Sequence, residues 1–351
     1  MTTHERELTS AVDLCDERGW LADDARGWSR APLHRANLTG RWGRTKRWDY
    51  WAILSDDHAV SVTYADVDYL GIVDVWWCEL ATGRIGGRSL VVPGARGVAL
   101  PEESGSAPLV FDSEQLSIEI RDVPPGAAGD LSKAAATEIR ARWREADGAS
   151  ASIEAVIDRP EGHESLNVVI PWSPSTFQFT SKHQARPARA TLLVGAETIA
   201  LGSSSPAWGV LDVGRGRWPY RTRWNWGGGA GASRGGATIG LQLGGTWTVG
   251  TGFTENGVLV DGRLDKIGEE LLWDYRWDAP MRPWRVPCPD GRLYRVLTPT
   301  FDRHSRTELG VLGTEVHQVF GRWAGRYVSD DGREHAFDGL VGFAEESRSR
   351  W

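Results

Sequence analysis

Apolar and polar residues alternate at 116–120 (LSIEI), 139–143 (IRARW), 239–243 (IGLQL) and 316–320 (VHQVF), the period of a strand that buries every second side chain. Apolar runs at 50–54 (YWAIL), 70–77 (LGIVDVWW) and 166–170 (LNVVI) read as strands covered on both faces. Asp-Gly pairs at 147–148, 261–262, 290–291 and 331–332, and Asn-Gly at 256–257, supply the positive φ that hairpin turns need. Only residues 4–18 and LSKAAA at 131–136 suggest helix, and both are short. The pattern predicts an all-β chain, antiparallel, and at 351 residues two packed barrels or sandwiches. The expected division is 1–195 and 196–351, with crossing points at 183–190 (HQARPARA) and 202–206 (GSSSP).

Composition sharpens this picture. Nineteen Trp and 42 Gly against two Met suit aromatic strands joined by tight turns better than packed helices. Three of those tryptophans and eight of the glycines fall in one short segment, 214–236, GRGRWPYRTRWNWGGGAGASRGG. Trp218, Tyr220, Trp224 and Trp226 share one parity while Arg217, Arg221 and Arg223 share the other, which predicts a strand over 217–226 with an aromatic inner face and a basic outer one. The glycines after it read as a loop. A net charge of −7 and a single RGG argue against nucleic acid as a partner, and the glycines match neither GxxxxGK[ST] nor GxGxxG.

Three widely spaced cysteines, Cys15, Cys78 and Cys288, form neither a disulfide framework nor a zinc pattern. No HxH, HxxxH or HExxH occurs, and His304 and His335 stand isolated in sequence, so no metal is expected. Residues 1–20 are too charged for a secretory signal and no run of about 18 apolar residues occurs. A cytoplasmic protein without an integral membrane segment is the expectation.

Six stretches, KRWDYW at 46–51, LDVGRGRWPYRTRWNW at 211–226, TENG at 254–257, TPTFDRHSR at 298–306, HQVFGRWAG at 317–325 and GFAE at 342–345, resemble in order the family known as domain of unknown function 2804, over nearly the whole chain. More remotely, that architecture resembles the two-barrel, lipocalin-related fold of carotenoid 1,2-hydratases, tocopherol cyclases and decalin-forming cyclases. The resemblance implies two lipocalin-like barrels or half-barrels side by side, and a hydrophobic, isoprenoid-like or polyketide-like substrate handled without a redox cofactor.

The residues themselves offer the chemistry. Trp218, Tyr220, Trp224 and Trp226 either fill a barrel interior or line a pocket whose π-faces stabilise a developing cation. Asp212, which leads into this segment, is either paired with Arg215 or Arg217 or placed in an apolar pocket as a general acid. Glu255 precedes the Asn256-Gly257 turn and can face a cavity. Asp302 reads as a partner of Arg303 or as a catalytic carboxylate. His183 and His317 are the titrating imidazoles, His317 opposite in parity to Val316 and Phe320, and Tyr220 can also carry a proton. Asn256, Arg215 and Gln318 complete the substrate-contact candidates. The leading expectation is a cofactor-independent hydratase or cyclase. A non-catalytic carrier of a lipid or pigment needs the pocket without the acid, and a carbohydrate-binding or glycoside-cleaving protein uses the same aromatics with two carboxylates.

Overall fold

The computed structural model describes residues 3–127 and 134–350 and is all-β, built on two large curled antiparallel sheets. Neither sheet closes on itself, so each is a half-barrel. The alternating and apolar stretches all lie in strands, and the Asp-Gly pairs at 147–148, 261–262, 290–291 and 331–332 all lie in turns.

The first sheet has 13 strands, all drawn from residues before Trp218. Thr45–Leu54, Ala207–Arg217 and Thr176–Val194 are neighbours at its centre, paired antiparallel in that order. Glu145 draws its two ends together, taking Trp77 Nε1 and Trp143 Nε1 on one carboxylate oxygen (2.7 and 2.9 Å) and the Gly87 N–H on the other (2.9 Å). The second sheet has eight strands, in which Arg221–Ala232 lies between Thr238–Gly245 and Glu334–Arg350, and Leu312–Val328 follows. Its curl is held where Tyr327 Oη donates to Asp265 Oδ2 at 2.8 Å.

Strand periodicity assigns most of the apolar residues of the two sheets to three cores, beside smaller clusters. Odd-numbered Trp51, Ile53, Leu211 and Val213 fill the inside of the first curl. Leu241, Leu243, Leu297 and Trp323 fill the second. Even-numbered Ala52, Leu54 and Val210 meet Trp226, Phe320 and Phe343 between the sheets. Among the described residues no helix is long and apolar enough to cross a membrane.

Several local expectations are corrected. Residues 4–18 are not helical: Glu5 is buried against Lys266 of the second sheet (2.7 Å), Glu7 forms a bridge with Trp28, and Val12–Asp13 pairs with His34–Arg35. Among the described residues the one helical turn is the 3₁₀ segment Asp23–Ala25. Of LSKAAA, residues 131–133 lie outside the described residues, and Ala135–Arg144 is a strand. The 217–226 segment is not one strand, because Trp218-Pro219-Tyr220 forms a corner between the two sheets; Pro219 has no N–H for a ladder. Arg217 is therefore buried, donating to the Gly19 and Thr39 carbonyls, not solvent-facing. The glycine run 227–231 continues the strand Arg221–Ala232. A Cβ on Gly228 would lie 2.6 Å from Gln184 Nε2 and 2.8 Å from Phe343, so glycine serves close packing there, not a loop. Asn256-Gly257 opens the strand Asn256–Val260 instead of a turn. The 183–190 segment lies inside Thr176–Val194.

Candidate functional site

The corner at 218–220 sets the second sheet against the even-numbered face of the three central strands. Trp48, Tyr50, Lys182 and Asp212 of the first sheet thereby face Trp224, Trp226, Gln318 and Glu345 of the second around a cavity of about 280 Å³. Trp218 from the corner, with Trp247 and Glu255 from the connection after Thr238–Gly245, completes the wall. Trp218 stacks on Trp247 (centroids 4.7 Å apart) and also touches Trp48, Trp172 and Trp224.

Lys182, Asp212, Glu255 and Glu345 converge on this aromatic box, with Tyr50 and Arg303 also in its wall. Lys182 Nζ pairs with Asp212 Oδ1 at 2.7 Å and lies 4.5 Å from the centroid of the Trp226 ring, so the charge is held by both a carboxylate and a π-face. Trp48 Nε1 donates to the other Asp212 oxygen at 3.3 Å. Glu255, 1% exposed, accepts from Trp247 Nε1 at 3.1 Å. Glu345 accepts from Trp224 Nε1 at 2.8 Å. Burial pushes both glutamates up to about 7; the Lys182 charge opposes the shift and the Asp212 charge adds to it. Tyr50, also raised by burial, donates its hydroxyl to Gln318 at 3.4 Å.

Glycine at 214 is required by this wall. An added Cβ would stand 2.1 Å from Cε2 of Trp48. Gly214→Ala is expected to push the indole off Asp212 and destabilise the fold by about 1–3 kcal/mol, measured by denaturant unfolding. Unchanged stability would mean that Trp48 is free to move.

Of the residues singled out from sequence, Asp212, Trp218, Trp224, Trp226, Glu255 and Gln318 line this cavity, whereas Tyr220, His183, Arg215, Asp302, Asn256 and His317 do not. Tyr220 is 38% exposed at the corner, its hydroxyl on the Val311 carbonyl, so it is no proton carrier for this site. His183 and Arg215 fall on the opposite face of the central strands, with Arg215 paired to Asp49 at 2.7 Å. Asp302 points away from the cavity and accepts from His317 Nδ1 at 2.8 Å, whereas its neighbour Arg303 lines the cavity and reaches Asp74 (3.3 Å). Asn256 is an internal tie: it accepts from the Gly244 N–H (2.8 Å) and donates to the Glu269 carbonyl (3.0 Å), which holds the adjacent Glu255 in place.

Sequence reasoning missed Lys182, Glu345, Trp48, Tyr50 and Trp247. Trp48, Tyr50 and Glu345 do lie in the motifs KRWDYW and GFAE, and Lys182 stands beside His183. His304 is not isolated: it stacks on His317 across the hairpin (4.2 Å), and with Glu315 the three bring donor atoms within 4.8 Å of one another, as do Glu269, Cys288 and Asp290. The three cysteines are free and buried, and burial pushes their thiols up to about 11 to 12, away from nucleophilic use.

A family model described as a domain of unknown function (DUF2804) matches residues 5–351. Among solved structures, kievitone hydratase from Nectria haematococca is similar over 88% of this chain and 89% of its own, with a TM-score of 0.51 and 12% identity. A putative AttH from Nitrosomonas europaea is similar at a TM-score of 0.48 and 11% identity, covering 86% and 92%. CghA is similar at 0.44 and 11%, covering 95% and 96%. At such identity the likeness concerns the fold. No curated protein sequence matches the chain.

Proposed function

The chain belongs to the DUF2804 family, whose description leaves function to be read from the site, and we propose that the aromatic cavity performs acid–base catalysis of the hydratase or cyclase type on a hydrophobic small molecule. The observation that carries this reading is the pair of buried carboxyls, Glu255 and Glu345, each held near pH 7 in a wall of tryptophans. A general acid works best when its pKa lies near the operating pH. Glu255 is the proton donor to an alkene, epoxide or carbonyl carried by the substrate. The π-faces of Trp218 and Trp224 stabilise the positive charge that follows, while Asp212 and the Trp226 ring offset the charge of Lys182. Glu345 takes a proton from the attacking water, giving net hydration, or from an adjacent carbon, giving a cyclised or rearranged isomer. The fold of kievitone hydratase is compatible with this class of reaction and assigns no substrate here.

The volume narrows the substrate. About 280 Å³ lies at the lower end of small-molecule pockets, which favours a compact, partly cyclic molecule over a long polyene. The direct test is to purify the chain from cells and identify what it carries by mass spectrometry. A compact apolar molecule, converted when supplied to fresh protein, is the expected result. Recovery of such a molecule with no conversion under any condition favours a carrier, and recovery of a sugar overturns the reading.

A further inference from the structure

The three central strands also carry polar groups on their other face, where a cavity of about 230 Å³ lies within the curl of the first sheet. Asp49, His183 and Arg186 line it together with Arg30, Arg121, Asp122 and Arg159. Nearly every charge there is matched. Arg30 pairs with Glu7 and Glu164, Arg121 with Glu138, Arg159 with Asp122, and Asp49 with Arg215.

Arg186 is the exception. It is 7% exposed and has no carboxylate partner among the described residues; one terminal nitrogen donates to His183 Nδ1 at 2.6 Å, and its Nε finds no acceptor. A guanidinium can only donate, so Nδ1 is the lone-pair nitrogen of His183 and Nε2–H donates to Ser181 Oγ at 2.8 Å. Burial and the Arg186 charge hold His183 well below its ordinary pKa, so the ring is neutral and offers a hydrogen bond without cancelling the charge. Removing a cation from water without a counter-charge costs several kcal/mol.

Backbone geometry shows that this placement is built in. Between His183 and Arg186 the strand makes a bulge: those residues pair with Leu211 and Gly209, three steps on one strand against two on the other, and Ala185 adopts φ 57°. A regular strand would point residue 186 toward the second sheet. The extra residue reverses the parity and turns Arg186 into the first curl, the re-aiming that bulges accomplish.

We propose that this cup is a second binding site, for a small molecule bearing a carboxylate or phosphate group whose oxygens pair with the Arg186 guanidinium. The Asp122 carboxylate, already paired with Arg159, acts on Arg186 only through space, and such an anion provides the direct ion pair that Arg186 lacks, in the planar geometry a guanidinium favours. The site is separate from the aromatic cavity because it occupies the opposite face of the same strands.

Calorimetric titration of the full chain with inorganic phosphate, acetate and benzoate tests this. At least one is expected to bind saturably, and Arg186→Gln to weaken that binding tenfold or more. Ala107, exposed and in the cavity lining, gives a variant that leaves the buried charge alone: Ala107→Trp is expected to weaken the same binding by at least tenfold through occlusion. Absence of saturable binding by all three probes, or binding of equal strength in both variants, overturns the proposal.

Discussion

Glu255→Gln is expected to lower turnover by roughly 10²–10⁴-fold while changing ligand affinity little, because the amide keeps the shape of the side chain and loses the transferable proton. The same substitution carries a pH signature with a definite sign. Glu255 sits near 7 in the folded protein against 4.5 for the free side chain, so between those values the folded state holds the extra proton. Stability therefore falls as pH rises from about 4.5 to about 7 and is level beyond, a change of about 3 kcal/mol for this one group. Glu255→Gln should remove that slope and leave the protein more stable than its parent at pH 8. The catalytic profile follows both ionisations: Glu255 must hold its proton and Glu345 must have lost its own, so with both near 7 the rate is bell-shaped, greatest near pH 7 and falling on either side. Denaturant unfolding at pH 5 and pH 8, with the pH–rate profile on the ligand recovered from cells, measures all three. Full activity in Glu255→Gln and in Glu345→Gln, each with unaltered folding, would sink the carboxyl mechanism.

Lys182→Met should be the most destabilising single change in the site. It leaves Asp212 buried without its 2.7 Å partner, and breaking a buried pair from one side costs about 3–5 kcal/mol. The double variant Lys182→Met/Asp212→Asn removes both charges and should recover most of the loss, since the methionine still packs on the Trp226 ring. The lysine also holds the two glutamates lower than burial alone would, so in the single variant both limbs of the pH–rate profile should move to higher pH. A single variant as stable as its parent would show that water, not Lys182, compensates Asp212.

Period and turn chemistry made the strands readable because both are local. Trp224 and Trp226 face the same way in any strand, and Asp-Gly turns need no tertiary partner. The same locality explains the failures. Parity predicted that Tyr220 would follow the tryptophans, but Pro219 breaks the ladder between them and the chain leaves one sheet for the other. The glycines at 227–231 and the Asn-Gly pair at 256–257 carry the marks of loop and turn, yet packing against Phe343 and a side-chain tie to Gly244 keep them in strands.

By itself, then, the sequence determined an all-β chain rich in aromatic strand faces, with Asp212 and Glu255 among its candidate acids. Only the tertiary structure decided which residues share a site. Residues 48, 182, 212, 255 and 345 lie far apart in the chain, and strand pairing together with the apposition of two sheets brings them around one cavity. Burial is likewise a property of the assembled layers: a glutamate in a tetrapeptide motif has an ordinary pKa until a second sheet removes the water around it. The face on which Arg186 lies was beyond parity altogether, since one bulged residue reverses it and no local signal in HQAR announces the bulge.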